Sequence, residues 1–184
     1  MQEVSRVRST DRKYAFTSSG RLRKPIGKEQ IHREPLNPHY VVGFIDGEGS
    51  FSIGVGKHKT LKRGLEIRPQ FSIELRADDR EVLERILVTI GCGRIYDCSY
   101  DRYGWYPHVK YKVGSIKDFL NYVFPFLDQY PLQAKKAKGY RIFREIILMF
   151  QKKEHLTDAG FKKIISLRTA MRKLGKKAKT YGNR

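Results

Sequence analysis

Two glycines four residues apart inside an apolar helical stretch limit what this chain can become. Residues 41–50 read Val41-Val42-Gly43-Phe44-Ile45-Asp46-Gly47-Glu48-Gly49-Ser50. Just before them, Asn37 can cap a helix and Pro38 can occupy its first position, which predicts an apolar helix ending near Gly47. A glycine in a helix interior costs about 1 kcal/mol relative to alanine. Two of them on one face imply a packing reason, because the missing side chains let a second backbone approach. A frayed helix end would account for Gly47 but not for Gly43. Glu48 falls at the negative pole of this helix, where a carboxylate is disfavoured by several tenths of a kcal/mol (~0.3–1) and should be compensated by something positive.

If two copies of the helix pack through Val42, Gly43, Asp46 and Gly47, the two Glu48 carboxylates converge. Like charges that close require a bound cation or a proton. Hard oxygen donors favour magnesium, which suits phosphodiester hydrolysis because the metal can activate water and stabilise charge on phosphorus and on the leaving oxygen.

Downstream the hydrophobic period changes from helical to alternating. Phe51, Ile53 and Val55 alternate with Ser50, Ser52 and Gly54, the pattern of a half-buried strand. Between Leu65 and Arg76 the odd positions Leu65, Ile67, Phe71, Ile73 and Leu75 are apolar, while Glu66, Arg68, Gln70, Ser72, Glu74 and Arg76 form the other face. Asp78 and Glu81 resemble a capping box for a helix through Ile90, with Gly91 as its left-handed stop. Arg94–Ser99 and His108–Val113 flank a turn around Tyr100, Asp101, Arg102, Tyr103 and Gly104 and read as a second hairpin, with His108, Lys110 and Lys112 on one face. Ser115 should open a short helix that Pro125 ends, and two longer helices are expected over 132–152 and 157–174, the last closed by Gly175. The order is α-β-β-α-β-β-α followed by helices, an α+β chain. Its expected segments are a basic arm over 1–37, a core over 38–152 and a basic helical extension over 153–184.

Charge narrows the partner. The 184 residues carry 38 Lys and Arg against 19 Asp and Glu, a net charge of +19. Residues 151–184 hold 11 basic and 2 acidic side chains, so the flank is more lopsided than the centre. Phosphate backbones reward each neutralising cation by releasing counterions, which favours nucleic acid over the alternatives of a merely soluble basic protein or an anionic membrane. The apolar run Ile146–Phe150 is too short to span a bilayer. The start of the chain lacks the apolar core of a secretory signal, and Glu3, Asp11, Glu29 and Glu34 argue against a transit peptide. Cys92 and Cys98 are too few for a four-thiolate zinc site. The five histidines show no shared-metal spacing. An intracellular protein of a prokaryotic cytoplasm or an organelle is expected, with no membrane partner. Arg pairs with guanine, Gln with adenine, Glu with cytosine and Ser with several edges, so the mixture Arg68, Gln70, Ser72, Glu74 and Arg76 suits base readout. Ser52, Lys57, Lys59, Arg94, Tyr96, Arg102, Tyr103, His108 and Lys110 would extend that DNA-binding surface.

The segment from Val41 to Ser50 resembles the signature of the LAGLIDADG homing endonucleases. Gly43, Asp46 and Gly49 match, Glu48 stands at the final acidic position, and Val41, Phe44 and Ile45 fit the apolar ones. The resemblance covers roughly residues 38–150. It implies a saddle of antiparallel strands in successive major grooves, paired motif helices, and cleavage of both strands across the minor groove. One motif implies a homodimer on a near-palindromic double-stranded DNA target. By position, Glu48 would be the catalytic metal ligand, joined by the carbonyl of Gly49, while Asp46 belongs to the helix interface. The resemblance further implies a basic residue near the scissile phosphate, for which Lys112 is the candidate and Lys110 the alternative, and a polar one, Gln70. The implied activity is a magnesium-dependent double-strand break with 3′ overhangs by an intron-encoded enzyme, with manganese substituting and calcium binding without supporting cleavage. A maturase assisting RNA splicing and a non-cleaving DNA-binding regulator are the competing expectations.

Overall fold

A computed structural model of the protein describes residues 24–99 and 106–176. The chain forms two compact units, one containing the residues through Gly49 together with Ser72–Val113, the other Ser50–Phe71 together with the residues from Gly114 onward. Five strands are hydrogen-bonded in the order β1-β4-β5-β3-β2: β1 Ile26–Gly27, β2 Ser50–Lys57, β3 Leu65–Arg76, β4 Arg94–Cys98 and β5 His108–Val113. The long strand β3 runs from one unit into the other.

In the first unit, Asn37 accepts a hydrogen bond from the His39 amide at 2.9 Å, and Pro38 opens helix α1, Pro38–Glu48, as its sequence predicts. Val41, Val42 and Ile45 turn its apolar side into the core. Helix α2, Arg80–Ile90, contributes Leu83, Ile86, Leu87 and Ile90, and Gly91 ends it with φ 93°. Ile73, Ile95, Val109, Tyr111 and Val113 complete this core, where each fully buried aliphatic side chain contributes roughly 1.5–3 kcal/mol. The β4–β5 register pairs Arg94 with Lys112, Tyr96 with Lys110 and Cys98 with His108, so these six share one face while Ile95, Val109 and Tyr111 line the other. Gly93, at φ 90°, lets the chain pass Tyr111, whose hydroxyl donates to the Cys92 carbonyl at 2.9 Å.

The capping box at Asp78 and Glu81 is replaced by a short 3-10 turn over Ala77–Asp79, with no side-chain cap. Asp78 instead accepts two hydrogen bonds from Arg76, and Glu81 pairs with Arg33 at 3.6 Å. A guanidinium two residues before Asp78, and one brought to Glu81 by the fold, outcompete the local cap. Part of the expected arm is also ordered: Ile26 and Gly27 pair with Ile95 and Arg94 as an edge strand. The Leu36 amide then donates to Thr89 on α2.

In the second unit, Phe51 on β2 stacks on Phe71 at 4.7 Å and meets Tyr140 and Phe143 at 5.1 and 5.3 Å. Phe143 also meets Phe119 edge-on at 5.0 Å. Such pairs add about 0.5–1.5 kcal/mol beyond their area. Burial in this cluster pushes the Tyr140 hydroxyl up to about 12.

Pro125 does not end the helix that Ser115 opens. Ser115 accepts from the Asp118 amide, α3 spans Ile116–Asp118, a π turn covers Phe119–Val123, and α4 continues over Phe124–Gln129. The Phe124 amide bonds back to the Phe119 carbonyl, so the register widens immediately before Pro125. The proline then sits in the first turn of α4, where no amide is required. Helix α5 spans Lys136–Gln151, starting later than the apolar pattern suggests, and α6 spans Asp158–Lys176. Gly175 therefore lies inside the last helix rather than closing it, on an exposed stretch where a glycine costs little packing. Among the described residues, no helix is long and apolar enough to cross a membrane.

Candidate active site and nucleic-acid interface

The end of α1 is built by one tight contact. The Gly49 amide donates to the Ile45 carbonyl at 2.9 Å, and a Cβ at position 49 would stand 2.6 Å from that same oxygen. Only glycine allows the chain to leave the helix and enter β2 at this angle. Glu48 is thereby held exposed in the last turn of α1, a turn containing no basic residue, and it forms no ion pair among the described residues. The helix dipole leaves that carboxylate seeking a cation.

A Cβ added at Gly43 or Gly47 would meet nothing within 4 Å, and both positions are exposed. Tyr40, one turn earlier and 51% exposed, leans on Phe44 at 5.9 Å. The glycine face is therefore an open, low-relief surface on the chain. Val42, expected in the same interface, is only 6% exposed. It points into its own core because position 42 lies on the opposite side of the helix from the glycines. Asp46 is half-buried beside the open face.

A divalent metal fits this end of the molecule only in part. Glu48 and the Gly49 carbonyl are hard oxygen donors of the kind magnesium takes. Among the described residues, no three His, Cys, Asp or Glu side chains are grouped to hold an ion. One chain offers part of a coordination sphere, leaving positions for water, a phosphate or donors of a second chain.

The sheet residues fall into distinct situations. Ser52, Lys57, Lys59, Arg68 and Arg94 are exposed and available to a polyanion, with Arg68 lightly paired to Glu66 at 3.2 Å. Lys110 is already bound to Glu74. The Lys112 ammonium lies 5.7 Å from the Tyr96 ring centre, within cation–π range. Arg76 is held by Asp78 and lies over Tyr106 at 4.4 Å. His108 Nδ1 contacts the Tyr106 carbonyl at 2.8 Å, and Gln70 is half-buried. Ser72, expected among the base-reading residues, is only 9% exposed, so it belongs to the interior here. Because Ser72 faces away from the fully buried Phe71 and Ile73, β3 is covered on both faces at this point. Arg102 and Tyr103 lie outside the described residues. Burial raises the Cys98 thiol above its usual range, with Glu74 adding to the effect.

Sequence reasoning passed over a cluster of basic residues at a helix start. The run Lys135, Lys136 and Lys138 spans the start of α5, a first turn without any acidic residue. Cations there oppose the helix dipole. The same argument that singled out Glu48 at a helix C-terminus would have found these lysines at a helix N-terminus.

The sequence matches the LAGLIDADG endonuclease family over residues 41–147. A relative in Neurospora crassa, described as probable intron-encoded endonuclease 3, is 31% identical over 136 residues, which is 74% of this chain and 25% of that protein. The solved I-LtrWI LAGLIDADG homing endonuclease bound to target DNA matches with TM-score 0.68 and 31% identity over 74% of this chain and 44% of that one. I-SmaMI bound to uncleaved DNA target in the presence of calcium ions matches with TM-score 0.69 and 33% identity over 75% and 45%. The chain thus spans about a quarter of the fungal protein and under half of the solved chains. Motif helix, strand order and sequence agree, and the chain belongs to the LAGLIDADG endonuclease family.

Proposed function

We propose that this chain is one half of a site-specific, intracellular, intron-encoded DNA endonuclease, completed when a second copy packs against α1. The observation that carries this reading is the exposed Glu48 carboxylate next to the open Gly43 and Gly47 face. Pairing two such helices brings two carboxylates together, which one chain cannot do. Glu48 and the Gly49 carbonyl of each copy would hold magnesium, with manganese able to replace it and calcium binding without turnover. The metal, when bound, supplies Lewis acidity and an activated water for hydrolysis of a phosphodiester.

The chain's own residues position the DNA. Exposed Ser52, Lys57, Lys59, Arg68 and Arg94 meet the duplex, and Gln70 and Tyr96 contribute polar edges. Lys112, steadied by the Tyr96 ring, is the cation suited to the scissile phosphate. Cleavage of both strands then leaves 3′ overhangs on a near-palindromic target.

The test is to incubate the purified chain with DNA spanning candidate intron-free insertion sites, with magnesium or calcium, and map the ends. Cuts should appear with magnesium only. Glu48→Gln should bind the same DNA while cutting at least ~10³-fold more slowly, a loss of about 4 kcal/mol of transition-state stabilisation. Undiminished cutting by that variant would remove Glu48 from the site. Binding that prefers intron RNA, without any DNA cleavage, would replace the endonuclease reading with a splicing role.

A further inference from the structure

Helix α6 lies beyond the stretch that matches the family, which ends at residue 147. It packs on α5 and reaches the outermost strand of the sheet through one side chain. Strand β2 is the last in the strand order, so among the described residues the backbone groups on its outer side have no neighbouring strand. The Arg168 side chain reaches from α6 to donate to one of them, the Ile53 carbonyl, at 2.7 Å. At its start α6 is tied to the β2–β3 turn. Arg63 pairs with Asp158 at 2.6 Å, donates to the His155 and Leu156 carbonyls at 3.2 Å each, and lies 4.5 Å from the Phe161 ring. Gly160 permits this close seat, since a Cβ there would be 2.0 Å from the Glu154 carbonyl oxygen.

Fixed at its start and at mid-length, α6 presents a defined outer face. Ile164 is fully buried, whereas Lys162, Ser166, Thr169 and Lys173 are exposed at spacings of four, three and four, a single stripe on the solvent side. The one acidic residue of the helix, Asp158, is held by Arg63, and Lys163 is neutralised by Glu145 at 2.9 Å. Lys162, Arg172 and Lys173 have no ion pair among the described residues. Lys162 and Lys173 stand about 16 Å apart along the axis, at a rise of about 1.5 Å per residue, with the Ser166 hydroxyl between them, while the Thr169 hydroxyl donates back to the Ile165 carbonyl at 2.9 Å. Lysine ammonium and Ser or Thr hydroxyl groups are phosphate donors that carry no base information.

We propose that this stripe, with Arg172, is a second DNA-backbone contact that takes duplex phosphates flanking the sequence read by the sheet. The inference rests on the DNA-endonuclease reading above. It adds a sequence-independent clamp beside the β2 edge, so the footprint extends past the bases that determine specificity.

The test uses the full chain, non-specific duplexes of about 20 and about 40 base pairs and a single-stranded RNA, titrated across a salt series. The triple variant Lys162→Gln, Arg172→Gln, Lys173→Gln is compared with the wild type and with an equal charge change at Lys24, Lys28 and Lys117, all exposed. The clamp predicts that the α6 variant loses about tenfold or more in affinity for the long duplex at ~100 mM salt, with the slope of log K against log salt shallower by about 2 to 3, while binding to the short duplex changes little. Circular dichroism and melting should match wild type, because the three side chains are exposed. An equal loss on both duplexes, a loss no larger than that of the control variant, no loss at all, or a loss confined to RNA would each overturn the clamp. Failure of the parent reading looks different: the wild type itself would show no preference for duplex DNA and no magnesium-dependent cutting of any target.

Discussion

Helices α1 and α2 are each 11 residues long and pack into the same unit, yet one is finished within the chain and the other is not. Around α2 the charges are answered on site. Arg80 pairs with Glu84 at 2.7 Å and with Asp97, Arg33 reaches Glu84 at 3.2 Å, and Arg85 donates to the Glu34 carbonyl at 3.1 Å. Its end is closed by a left-handed glycine. Helix α1 ends instead on Glu48, which has no ion pair among the described residues, and shows bare glycines on its outer face. A helix that costs stability at two positions and leaves its terminal acid uncompensated makes sense where a second surface supplies what is missing.

The contrast can be broken most sharply by filling the bare face. Gly43→Leu should leave the unpaired chain folded, because the added side chain starts in open space, while weakening self-association by at least about 100-fold, or roughly 3 kcal/mol, in sedimentation equilibrium. Cleavage should fall with it. Arg80→Met probes the finished helix in the opposite sense. The Asp97 and Glu84 side chains are 2% and 11% exposed, so removing their guanidinium should cost about 3 kcal/mol in urea unfolding with little change in self-association. Gly43→Ala sharpens the comparison at smaller scale: the isolated chain should become about 1 kcal/mol more stable, while pairing becomes weaker. A stabilised variant that pairs as well as wild type would deny the glycine face its role.

The smallest effect concerns a group completed inside the second unit. His155 stacks on Phe150 at 4.1 Å, and burial holds its imidazole below the usual 6.5, with Arg63 lowering it further. The unfolded chain therefore binds the proton more readily. This contribution to stability is complete above pH 6.5 and declines as pH falls through the depressed folded value. His155→Phe should flatten the acid side of a melting-temperature profile between pH 5 and 7 by a small amount, and an unchanged slope would assign it to other groups.

The parts of the fold legible in the sequence are those fixed by local chemistry. Asn37 and Pro38 begin α1, alternating residues mark β2 through β5, and Gly91 stops α2 because each signal acts within a few residues. The misread positions turn on competing partners, near or far, that pattern alone does not rank. Asp78 is claimed by Arg76 and not by a cap, Pro125 is accommodated by a π turn, and Ile26 becomes a strand only because β4 offers its edge. The same division holds at the site. Glu48 and the two glycines announce themselves by opposing helix energetics, whereas Ser72 and Val42 look suitable by type and are removed by burial that composition does not reveal.

The most direct measurement is the mass and stoichiometry of the chain bound to a cleavable duplex in calcium, by sedimentation or native mass spectrometry. Two chains per duplex are predicted for the wild type, and Gly43→Leu should abolish that species. A single chain engaging and, on addition of magnesium, cutting both strands would contradict the shared-carboxylate site.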